Sequence, residues 1–130
     1  MDKTKVFVSF DFDNDRQLKE FIIGQSRLPD SPFAVVDVSL REAAPEQEWE
    51  QKARAAITRA DVLVVMLGSS TASAPGVLKE ILMASELNKP RFQVIGYRNG
   101  SSSWAVPNGG RTYTWSWDNL KKMLDPSNYR

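Results

Sequence analysis

Asp61-Val-Leu-Val-Val-Met-Leu-Gly-Ser-Ser-Thr-Ala-Ser-Ala-Pro-Gly-Val-Leu-Lys-Glu-Ile-Leu-Met-Ala-Ser-Glu-Leu-Asn-Lys-Pro-Arg-Phe-Gln-Val-Ile-Gly-Tyr97 reads as a strand, a helix and a second strand. Val62 to Leu67 is an unbroken apolar run, rich in branched residues and closed by Gly68. Such a run suits a strand buried on both faces of a parallel sheet. The small polar loop Ser69 to Ser73 follows, and Pro75 sits where the first turn of a helix tolerates a missing N–H. Val77, Leu78, Ile81, Ala84, Ser85 and Asn88 recur at helical spacing, Asn88 is a helix stop, and Pro90 forbids continuation. Phe92 to Tyr97 is the returning strand. This unit places Glu80 early in a helix that leaves a strand's carboxyl end, where ligands bind in open α/β sheets.

Outward from this unit the chain alternates. Val6 to Phe10 is a short strand, and Asn14 or Asp15 can cap a helix carrying Leu18, Phe21 and Ile22 on one face. Phe33 to Val38 is a second strand, and Ser39 to Pro45 a loop. A helix over about residues 46–59 buries Trp49, Ala53, Ala56, Ile57 and Ala60, with Glu46, Glu48 and Glu50 at its positive end. Asn99 to Gly110, rich in Asn, Gly and Ser, reads as a long, mobile surface loop, and Arg98 beside it and Trp104 within it could form a lid. Thr112 to Trp115 is an edge strand, and Ser116 caps a last helix with Trp117, Leu120, Met123 and Leu124 inward. Strand–helix alternation of this kind predicts a three-layer α/β fold. The expected sheet is parallel and five-stranded, in the flavodoxin-like order 2-1-3-4-5.

Composition narrows the chemistry. The 130 residues are read as one domain, large enough to bury roughly two-thirds of the unfolded surface. The net charge of +1 is interspersed, so neither nucleic acid nor a membrane surface is indicated. No stretch approaches the ~20 apolar residues of a membrane span, and no signal peptide is evident, which points to the cytoplasm. With no cysteine and no histidine, thiolate chemistry and the commonest general base are both excluded. Carboxylates, hydroxyls, lysines and backbone dipoles remain. There is no P-loop and no dinucleotide fingerprint, and the first loop is acidic rather than phosphate-binding. Met66-Leu67-Gly68 lacks the strand-end aspartate of a phospho-accepting receiver. Asp11, Asp13 and Asp15 could hold a magnesium ion or simply form an acidic helix start; the second reading is preferred, with no metal and no cofactor.

At Val6-Phe-Val-Ser-Phe10, Ala60-Asp-Val-Leu-Val-Val-Met-Leu-Gly68 and Gly76-Val-Leu-Lys-Glu-Ile81 the chain resembles the TIR domain family. The nearest branch is the bacterial and archaeal TIR-like one that includes the ThsB proteins of the Thoeris anti-phage system. The resemblance spans about residues 5–125, so 1–130 is expected to be a single TIR-like domain. It implies that Glu80 is the glutamate with which family members split NAD. The product would be an ADP-ribose-derived signal, cyclic in some members, read by a separate effector protein. One departure is Gly76, where typical members carry a tryptophan.

The chemistry suits this residue set. Nicotinamide leaves NAD as a neutral group, so the step needs no general acid. It needs a carboxylate that orients the ribose and stabilises an oxocarbenium-like transition state. The candidate site is therefore Glu80 as catalyst, with Phe10, Asp11, Ser39, Ser69 and Ser70 as substrate-binding residues. Two rivals stay open. One is a non-catalytic binding or self-associating module, favoured by Gly76. The other is an enzyme like the nucleoside deoxyribosyltransferases, which also use a glutamate on N-glycosidic bonds.

Overall fold

Five runs of branched and aromatic residues form the strands β1 (Thr4–Ser9), β2 (Phe33–Val38), β3 (Val62–Leu67), β4 (Arg91–Ile95) and β5 (Arg111–Thr114). The computed structural model describes residues 3–11, 14–38, 46–96 and 105–129. The strands pair in parallel in the order β2-β1-β3-β4-β5, as the alternation predicts. The helices α1 (Arg16–Ser26), α2 (Glu46–Arg59), α3 (Pro75–Glu86) and α4 (Trp117–Met123) cover the two faces.

The central strand β3 is buried at every position, which explains its unbroken apolar sequence. Val62, Val64 and Met66 face a layer built with Leu18 and Ile22 of α1 and with Leu120 and Leu124 at α4. Leu63, Val65 and Leu67 face the other layer, with Ala53 and Ile57 of α2 and Val77 and Ile81 of α3. Each fully buried large aliphatic side chain contributes about 1.5–3 kcal/mol, so this alternation is the main source of stability. Helix ends follow the sequence signals. The Ser116 hydroxyl accepts the Asn119 N–H at 3.0 Å, capping α4. Beyond α3, Asn88 has φ 55°, and the Lys89 and Asn88 N–H groups return to the carbonyls of Ala84 and Ser85. That is a Schellman ending, with asparagine taking the left-handed position.

Two side chains expected in the core are not there. Leu78 is 41% exposed and Phe21 56%. The buried stripe of α3 runs through Val77, Glu80, Ile81 and Ala84. Leu78 lies about 100° round the helix from Val77, off the end of that stripe. Phe21 instead meets the ring of Trp115 edge-on, with centroids 6.1 Å apart.

Residues 105–110, which lead into β5, are held more closely than their composition suggests. Asn99 to Trp104 lies outside the described residues, but residues 105–110 are not a free loop. Val106 is buried, and its N–H donates to Gln93 Oε1 at 2.7 Å. Gln93 Nε2 donates in turn to the carbonyls of Val106 and Gly110, at 3.2 and 2.8 Å. Arg91 adds bonds from its guanidinium to the Asn108 carbonyl and Oδ1. Gly110 has φ 86°, and a Cβ there would press into the Arg91 carbonyl, so glycine is required. A buried glutamine in mid-strand thus holds a segment whose composition reads as loose.

Two predictions follow from these contacts. Gln93→Leu leaves the buried Val106 N–H without its partner and should cost about 1–3 kcal/mol in urea unfolding. In the wild type the Val106 amide should exchange slowly, and in the variant quickly. At the chain's other end, the Tyr129 hydroxyl donates to the Met123 carbonyl at 2.7 Å. Burial first, then the nearby Tyr113 and Asp61, push its phenol up from 10.0 to about 12. The folded value lies above the unfolded one, so this stability is complete below about pH 10 and is lost as pH rises toward 12. Thermal melting should therefore fall more steeply between pH 10 and 12 in the wild type than in Tyr129→Phe.

Candidate functional site at the carboxyl ends of β1 and β3

Strand alternation decides which groups meet at this end of the sheet. Along β1, Val6 and Val8 point into the α1 layer, so Phe7 and Ser9 point toward α2 and α3. Ser9 is the last residue of β1 and pairs with Val65 of β3. On α3, Glu80 lies three residues after Val77 and four before Ala84, on the stripe that faces the sheet. The two meet: Ser9 Oγ donates to Glu80 Oε1 at 2.7 Å, with both residues 0% exposed.

Glu80 is therefore not a surface residue of α3. It sits in the buried stripe, enclosed, beneath the carboxyl end of β1. The turn of the helix explains why: the inward stripe centres on Val77, Glu80 and Ala84, and Leu78 takes the outward place. Lys79, next in sequence, turns away to the α2 flank, where its ammonium lies 3.3 Å from Glu50 and over the Trp49 ring.

The loop beyond β3 forms the adjoining wall. The Gly68 N–H donates to the Thr71 hydroxyl at 2.7 Å, and Thr71 is fully buried. Thr71–Ser73 is one turn of 3-10 helix leading into α3. Ser69 is exposed and Ser70 half-buried, and Ser70 makes no side-chain capping bond. Both serines thus lie on the rim, while the inward hydroxyls are those of Ser9 and Thr71. Across the sheet end, the Asp11 carbonyl accepts the Asn14 and Asp15 N–H groups, and its carboxylate accepts the Asn14 amide at 2.7 Å. Asp15 stands at the start of α1, as expected, but its side chain does not cap that helix. It packs against Gly68 instead.

Phe10 is 1% exposed and packs with Leu18 and Ile22 in the α1 layer, on the face opposite Glu80. Ser39, Phe12, Asp13, Arg98 and Trp104 lie outside the described residues. Gly76 is half-buried in the first turn of α3. Among the described residues no three acidic side chains gather to hold a metal. A cavity of about 270 Å³ lined by Glu50, Gln51, Arg54 and Met83 lies on the α2–α3 flank and includes no strand-end residue. Sequence reasoning missed Ser9 and Thr71. The signal for Ser9 was present in the two-residue alternation of β1 set against the helical spacing of Glu80.

The family model described as "Thoeris protein ThsB, TIR-like domain" matches residues 7–99. The chain belongs to this family. The matched segment holds Ser9, Asp11, Gly68, Thr71 and Glu80, whereas β5 and α4 complete the sheet beyond it. Membership makes the chain a TIR-like component of the Thoeris anti-phage system and implies a signalling role alongside other Thoeris components. No curated protein sequence matches the chain. No helix among the described residues is long and apolar enough to cross a membrane.

The packing of Gly68 supplies a test of the site's rigidity. A Cβ on this residue would run into the Asp15 carboxylate, within 2.6 Å of its Cγ. Asp15 is 3% exposed and has little room to withdraw. Gly68→Ala should therefore destabilise the fold by about 1–3 kcal/mol, as overpacking does. Removing the clash with Asp15→Ala in the same chain should recover part of that loss in thermal melting.

Proposed function

We propose that the site cleaves NAD at the bond between nicotinamide and ribose, with Glu80 as the catalytic carboxylate. The observation that carries this reading is a carboxylate anchored at the carboxyl ends of β1 and β3, beside a loop of hydroxyls, in a chain without histidine or cysteine. In the reaction the C1′–N bond breaks and its electron pair leaves with neutral nicotinamide. The ribose gains oxocarbenium character, which a fixed negative charge stabilises. Water then adds at C1′ with loss of a proton, giving ADP-ribose, or a nucleophile within the same nucleotide adds and gives a cyclic product. The product acts as the signal to a separate Thoeris effector protein. Asp11, Ser69 and Ser70 lie at the same end of the sheet, after β1 and β3, and the first turn of α3 favours the diphosphate's negative charge. Because Glu80 is enclosed, the nucleotide reaches it only after neighbouring groups move aside.

Gly76 favours a second reading, in which the fold binds a nucleotide or assembles without turnover. It stands in the first turn of α3, where typical relatives place a tryptophan that could line a nucleotide pocket. Nicotinamide release separates the two readings, and base exchange on a deoxynucleoside would indicate a deoxyribosyltransferase instead. The decisive comparison is wild type against Glu80→Gln, incubated with NAD in lysate from phage-infected cells. Loss of the charge should cut nicotinamide release ~100–1,000-fold. Since Glu80 is buried and accepts a hydrogen bond, the substitution should also shift stability by about 1–3 kcal/mol, so rates are compared per folded molecule. Unchanged release from folded Glu80→Gln would refute the assignment.

A further inference from the structure

We infer that Ser9 is a positioning residue, whose hydroxyl fixes the orientation of the Glu80 carboxylate at the end of β1. The proposal takes the reading of Glu80 as catalyst for its kinetic part only. Three observations carry it. The Ser9–Glu80 bond is 2.7 Å long and joins residues 71 positions apart, so it is made by tertiary structure and not by local chain geometry. Both partners are 0% exposed, so no bulk water competes for either group. The donor itself is fixed: Ser9 is part of β1, paired with Val65 of the fully buried β3.

A glutamate has three rotatable side-chain bonds, and a helix alone does not choose among their rotamers. Hydrocarbon neighbours such as Val77 and Ala84 restrict where the carboxylate can go, but they do not set its plane. A hydroxyl on a rigid strand gives one carboxylate oxygen a defined place. Hydrogen bonds to charged groups are stronger than those between neutral ones, and misplacing a catalytic group by about 1 Å can cost ~100-fold in rate. Removing the Ser9 hydroxyl should therefore affect the catalytic step, where carboxylate direction matters. Binding of a nucleotide held at many other points should change little.

The experiment uses Ser9→Ala, Ser9→Thr and Ser9→Cys in the full chain, with folding checked by melting. Crystal structures of the wild type and Ser9→Ala give the carboxylate position without any need for activity. We expect Glu80 displaced or split between rotamers in Ser9→Ala and restored in Ser9→Thr, which keeps a hydroxyl. With NAD under activating conditions, Ser9→Ala should lower kcat about 10–100-fold, leave KM within about twofold, and be largely rescued in Ser9→Thr. If Ser9→Ala does not fold, Ser9→Cys fills the space with a much weaker donor and should show the same two effects. A single, unmoved Glu80 rotamer in the folded variant would overturn the proposal whatever the activity. So would an unchanged kcat, or a loss carried by KM alone. If the wild type never releases nicotinamide, the NAD reading fails by itself, and the Glu80 rotamers in the crystals decide the role of Ser9.

Discussion

A carboxylate enclosed in the protein has to be hydrogen-bonded, because burying it unsatisfied costs several kcal/mol. Here the strand supplies a donor: the Ser9 hydroxyl at the end of β1 meets Glu80 on α3. That contact fixes several other choices. β1 must present its last residue, Ser9, to the α2–α3 layer, so its aliphatic residues Val6 and Val8 must face α1. The helix α3 must turn its Val77–Glu80–Ala84 stripe inward, which leaves Leu78 and Leu82 outside. The short hydroxyl loop after β3 must also be tight enough to bring α3 back over the sheet. The bond from Gly68 to Thr71 provides that tightness.

The parallel sheet makes this arrangement accessible to chemistry. In a doubly wound sheet the carboxyl ends of neighbouring strands open onto loops that precede helices. Ser9, Asp11, Gly68 and Thr71 all lie at one such end, drawn from distant parts of the chain. The rest of the fold keeps that end in register. The central strand β3 is buried throughout, Gln93 ties the approach of β5 to β4, and the Ser116 cap starts α4 beneath the sheet. In the proposed reaction, a carboxylate held at this end would face the ribose as it gains cationic character.

Strand order and helix bounds were readable because they rest on periodic patterns. The run from Val62 to Leu67 and the stop at Asn88 are local signals that the tertiary structure reinforces. Glu80 could be located on α3 from sequence, but its depth could not. Whether a helical glutamate is a border residue or a buried one depends on a rotation of about 100°, which the flanking leucines obscure. The partner Ser9 is 71 positions away, and such a pairing becomes legible only once strand alternation and helix phase are combined. The segment 105–110, which leads into β5, hid its restraint for the opposite reason. Its Asn, Gly and Pro content is that of a loose loop, whereas its restraint comes from Gln93, which belongs to another element.

The central claim is that the carboxyl ends of β1 and β3 receive the nucleotide. Amide chemical shifts recorded during titration with ADP-ribose test it most directly. The account predicts the largest shifts at Ser9 to Asp11 and Gly68 to Thr71, with Glu80 following. Shifts confined to Glu50, Gln51, Arg54 and Met83, around the cavity on the helix flank, would contradict it.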